Sequence, residues 1–81
     1  MVEIEVTAEH IELGERWNCR RCPIAHAINT ALGRMCDVKA DVVEIDGEWF
    51  ELPKKARNFV ADFDAGFSVL PFSFTLDYPK S

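Results

Sequence analysis

Cys19, Cys22, His26 and Cys36 are the residues of this chain whose types could bind a metal or do redox chemistry. Zinc takes four soft or borderline ligands at tetrahedral positions, and these four would supply them. The spacing departs from the usual pattern, because the Cys19-x2-Cys22 knuckle has no second knuckle to face it. A structural reading competes. Cys22 stands where a helix N-cap belongs, with Pro23 at the first helical position, where its missing N–H costs nothing. Cys19 then sits in a loop, and Cys36 is a small apolar side chain. A Cys-x2-Cys pair at a helix N-terminus also serves dithiol enzymes. There the pair follows a strand of a βαβ unit, and residues 13–18 offer no strand.

Other chemistry is sparse. His10 and His26 are the only histidines. The chain has no Gly-x-Ser-x-Gly, no glycine-rich phosphate loop and no paired-carboxylate motif. With four glycines in 81 residues, a preorganised catalytic cleft is hard to build. The residues therefore read as a non-enzymatic protein. His10 is expected to be a partly exposed helix residue, and His26 an exposed one on the Cys22 side of its helix.

The elements that would position these groups follow from periodicity. Val2, Ile4 and Val6 alternate with Glu3 and Glu5, which predicts a half-buried strand with an acidic outer face. Thr7 can N-cap a short helix over 8–13, with Gly14 at its C′ position. Residues 15–21 form a polar, arginine-rich loop. Ile24, Ala27, Ile28, Ala31 and Leu32 make one helical face, ended by Gly33. Val38, Ala40 and Val42 alternate, then Val43 and Ile45 continue in the opposite phase, which a bulge near Val42 would explain. Asp46-Gly47 predicts a tight hairpin into a strand over 48–52. Pro53 opens a second long helix whose buried face carries Leu52, Ala56, Phe59, Val60 and Phe63, closed by Gly66. Leu70, Phe72, Phe74, Leu76 and Tyr78 alternate as a last strand, with Pro71 at or outside its start. The expected fold is α+β over 1–81 as one domain, in the order β-α-α-β-β-α-β. Its simplest packing is a four-stranded, mainly antiparallel sheet with helices on one face. Phe59, Phe63, Phe72 and Phe74 are expected at the centre of the core.

Charge comes in blocks. Residues 1–15 carry five acids and no Lys or Arg; residues 16–36 carry four arginines and no acid; residues 37–51 carry six acids against Lys39. A net charge of −5 disfavours a nucleic-acid-binding face, although Arg16, Arg20, Arg21 and Arg34 could gather locally. Glu3, Glu5, Asp41, Glu44, Asp46, Glu48 and Glu51 would form a negative patch if the first strand lay near the hairpin. Such a patch can occupy a basic channel in place of nucleic acid. Trp49 beside it would be an anchor if exposed. The odd number of cysteines argues against a secreted disulfide framework. With no apolar run of membrane-spanning length and no signal-like N-terminus, the expected location is cytoplasmic.

The string Val6-Thr7-Ala8-Glu9-His10-Ile11, then Gly14, then Cys19-x2-Cys22-Pro23-Ile24-Ala25, carries a resemblance. So does Phe59-x3-Phe63-Asp64-x-Gly66 followed by Pro71-Phe72-Ser73-Phe74-x-Leu76-Asp77. Together they resemble small proteins encoded by bacteriophages and prophages of actinobacteria and other bacteria. In those relatives an aliphatic residue often stands at the position of His26, which implies that His26 is not a shared metal ligand. The resemblance also implies a class. Small acidic phage proteins without an active site often inhibit host machinery, anti-CRISPR proteins among them. The expectation is a non-enzymatic inhibitor of a bacterial defence complex, such as a type I CRISPR effector. It would need no cofactor, no direct nucleic-acid contact and no membrane. The alternative is a small zinc-stabilised adaptor held by Cys19, Cys22, His26 and Cys36.

Overall fold

The computed structural model describes residues 1–79. The elements are β1 (Val2–Val6), α1 (Ala8–Leu13), α2 (Pro23–Leu32), β2 (Cys36–Val38), β3 (Val42–Ile45), β4 (Glu48–Glu51), α3 (Lys54–Asp64) and β5 (Phe72–Leu76). The α+β class is as expected. The single four-stranded sheet is not: β1 pairs with β5 in a two-stranded antiparallel sheet, and β2-β3-β4 form a separate antiparallel meander. The extra strand comes from the phase switch at Val42. No bulge is needed there, because the chain reverses between Lys39 and Val42, closed by Lys39 N–H to Val42 O at 2.8 Å. Val38 and Val43 thus come opposite each other on the buried face, and Ala40 lies exposed in the turn.

The local signals at most element ends hold. Cys22 caps α2, its Sγ accepting from Ala25 N–H at 3.4 Å, and Pro23 opens the helix. Gly33 ends it at φ +66°. Asp46 and Gly47 have φ +53° and +82°, the double positive φ of a type I′ hairpin turn. Gly14 is different. It follows α1 in extended backbone, so conformational freedom is not its reason. A Cβ there would lie 2.5 Å from the Pro23 ring, and only glycine lets the two helices approach. The last strand is shorter than its alternation suggests. Leu70 is exposed, Pro71 precedes the ladder, and Tyr78 lies beyond it with its ring 5.1 Å from that of Phe50.

One cluster of buried side chains joins both sheets. Helix α2 packs against β1 and β2 and so bridges the two sheets. Its buried set is Pro23, Ile24, Ala25, Ala27 and Ile28, with Ala31 turned to solvent, so the face is rotated slightly from the expected one. The centre is aliphatic: Ile4, Val6, Ile24, Ile28, Val43, Ile45 and Leu76 are among the fully enclosed residues. The phenylalanines do pack together, with Phe59–Phe72 at 4.8 Å and Phe72–Phe74 at 5.7 Å. They form a flank where α3 meets β5, and Phe72 itself is only half-buried.

Candidate functional site

Side-chain alternation decides what the β2-β3-β4 meander shows to solvent. Cys36, Val38, Val43 and Ile45 face the core, so Asp37 and Glu44 face outward. Asp37 lies directly opposite Glu44, and Glu44 opposite Trp49, which makes one row across all three strands. Val42 and Glu51 form the next pair on that face. Trp49 is 59% exposed, so the indole stands on the surface with Glu44 and Glu51 around it. Asp41, Asp46, Glu48 and Glu51 are exposed and Glu44 is half-buried.

Two arginines temper this face. Asp37 and Glu44 are like charges facing each other, an arrangement that is destabilising without a counter-ion. Arg20 supplies one: its Nε donates to Asp37 Oδ1 at 2.8 Å. The hydrogen bond to Asp37, and then its charge, raise the Arg20 pKa. Arg34 lies 3.3 Å from Asp46. The unpaired acids of the meander are therefore Asp41, Glu44, Glu48 and Glu51 among the described residues. Glu3 and Glu5 are exposed on β1, opposite Thr75 and Ser73. They belong to the other sheet, and the seven carboxylates divide into two groups.

The arginines do not gather into a basic patch. Arg20 and Arg34 are paired as described, and Arg21 lies 3.7 Å from Glu15. Arg16 reaches α3, where its Nε donates to Phe63 O at 3.2 Å and its guanidinium lies 5.9 Å from the Phe63 ring. It satisfies a carbonyl of the last helical turn, where a cation is favoured.

Of the four candidate zinc ligands, the three cysteines are each engaged locally. Cys22 Sγ caps α2, Cys36 Sγ donates to Ala25 O at 3.8 Å, and Cys19 Sγ lies 3.9 Å from Asp37 Oδ1. Among the described residues, no three His, Cys, Asp or Glu side chains are placed to hold a metal ion. All three cysteines are free thiols. Burial pushes the Cys22 thiol up, partly opposed by its Ala25 N–H bond. Burial likewise pushes Cys36 up to about 12 from an ordinary 9.0.

Both histidines differ from expectation. His26 is half-buried rather than exposed, and its Nε2 is enclosed with no hydrogen-bond partner among the described residues. His10 is buried, at 8% exposure. It completes a capping box on α1: Thr7 Oγ1 accepts from His10 N–H at 3.2 Å, and His10 Nδ1 accepts from Thr7 N–H at 3.1 Å. Thr30 Oγ1 donates to His26 O, so it receives Nε2–H of His10 across 3.0 Å. The network assigns the Nε2–H tautomer. Thr7, followed three residues later by a polar side chain, was the legible signal for the box; the link to Thr30 was not, since it joins residues 20 apart.

A groove went unanticipated. It has a volume of about 460 Å³ and lies between the 17–22 loop, the end of β2 and α3. No known protein family, curated protein or solved structure matches the chain.

Proposed function

We propose that the protein is a non-enzymatic binding protein that docks the outer face of its β2-β3-β4 meander onto a basic protein surface. The observation that carries this reading is Trp49, 59% exposed at the edge-strand end of the Asp37–Glu44–Trp49 row, with Glu51 two residues along on the same face. Large exposed aromatics ringed by charge are typical anchors, with the charges steering the encounter. The natural target of such a face is a surface evolved to hold nucleic-acid phosphates. The resemblance to phage proteins suggests which one: a bacterial defence complex, such as a type I CRISPR effector, whose DNA-binding surface the protein would block.

The test uses Trp49→Ala and the double reversal Glu44→Lys/Glu51→Lys, two carboxylates on the same outward face as Trp49. These leave Asp46 alone, because it occupies a positive-φ turn position and pairs with Arg34. A host-lysate pull-down first identifies the partner, and its affinity for each variant is then measured. Trp49→Ala is expected to weaken binding by about 2 kcal/mol or more. The double reversal is expected to slow association and to reduce its salt dependence. Unchanged affinity in both variants, with folding intact by circular dichroism, overturns the proposal.

A further inference from the structure

The groove beside α3 has three features that the acidic-face reading does not use. First, its lining is largely apolar and includes Trp17, Val38, Val60 and Ala61. Second, it is lined by Lys39 and Arg57, and neither has a carboxylate within ion-pair distance among the described residues. Its one acid, Asp64, already accepts Trp17 N–H at 3.0 Å. In a chain of net charge −5 this is a local excess of positive charge. Third, Trp17 sits at φ +58°, in the left-handed region that a bulky residue adopts only when its surroundings hold it there. The holding contacts are present. Asp64 fixes its amide, and neighbouring Arg16 is tied to Phe63 O. The result is an indole 80% exposed at the groove.

An apolar slot of a few hundred cubic ångströms with a small number of charged groups is the usual form of a small-ligand site. We propose that this groove binds a small aromatic carboxylate. The ring would lie between the Trp17 indole and the Val60–Ala61 surface, and the carboxylate would meet Lys39 and Arg57. The indole supplies the flat face for offset stacking, and Arg57 the fork that matches a carboxylate. Cys19 also lines the groove, and as the one thiol that is not buried it reports on occupancy. This inference is independent of the Trp49 face, which lies on the outer side of the meander.

Naphthalene-2-carboxylate is a suitable probe, with naphthalene-2-carboxamide as its neutral control, titrated into the isotope-labelled protein and followed by NMR. Saturable shifts are expected at the Trp17 indole N–H and at the amides of Cys19, Lys39 and Ala61. The carboxamide is expected to bind about tenfold more weakly, as is the carboxylate to Lys39→Gln/Arg57→Gln. Trp17→Gly removes the indole while suiting the positive φ, so it is expected to keep the fold and lose the site. Bound probe is also expected to slow alkylation of Cys19 by iodoacetamide. The proposal is overturned if no saturable shift occurs by about 5 mM probe. It is equally overturned if the carboxamide binds as well as the carboxylate, or if the shifts map elsewhere.

Discussion

At the scale of single residues, the three cysteines are chemically unequal. Cys22 and Cys36 are buried and Cys19 is half-exposed. A disulfide-exchange reagent at pH 8 is expected to label one thiol per native chain rapidly, at Cys19, and three after denaturation. Mass mapping of the labelled site checks the assignment. Cys36 also sets a pH dependence. Its folded pKa of about 12 lies above the ordinary 9.0, so the native state holds the proton more tightly than the unfolded chain. Its contribution to stability is complete below about pH 9 and is lost as pH rises toward 12. Replacing Cys36 with Ala is expected to flatten the decline of melting temperature across that window relative to the parent. His26 gives a third test. Its Nε2 is enclosed without a partner among the described residues, and an unmade buried hydrogen bond costs about 1–3 kcal/mol. His26→Leu is therefore expected to hold or raise stability by about 1 kcal/mol, measured by urea unfolding.

At the scale of elements, α1 is only six residues long and cannot stand alone. Its stability is borrowed through His10, which caps its own helix and bonds Thr30 of α2. His10→Ala is expected to cost about 1–2 kcal/mol. His10→Gln should recover part of this, because glutamine can close the capping box, but its amide must then forgo Thr30. Gly14 is the matching constraint on the other side of the same helix pair. Gly14→Ala forces a methyl group onto Pro23 and is expected to cost about 1–3 kcal/mol, despite an ordinary backbone conformation at that position. Denaturant midpoints for the three variants check both statements.

At the scale of the whole molecule, two small sheets share one core through α2. Neither a two-stranded nor a three-stranded antiparallel sheet of this length is expected to be robust on its own. Ile28, fully enclosed on α2, is the natural place to probe the coupling. Ile28→Ala is expected to cost about 2–5 kcal/mol, and both sheets should melt together. Coincident transitions by near- and far-ultraviolet circular dichroism test this; separated transitions would show that the sheets unfold independently. Among the described residues no helix is long and apolar enough to cross a membrane.

The sequence by itself determined the three helices, the first strand, the tight hairpin and most of their ends. Cys22-Pro23, Gly33 and Asp46-Gly47 act through their own backbone preferences, which need no distant partner. It also made Trp49 and the surrounding acids visible as candidates, since alternation assigns faces within a hairpin. Only the tertiary structure decided how the strands divide. The phase change at Val42 fits a bulge or a reversal equally well, and the choice between them depends on which residues pack beneath it. It also decided that Glu3 and Glu5 stand apart from the meander, that each arginine of the 16–36 block has a local partner or carbonyl, and that His10 is buried. The groove between Trp17, Val38 and Val60 was beyond reading for the same reason. It exists only where a loop, a strand and a helix distant in sequence are brought side by side.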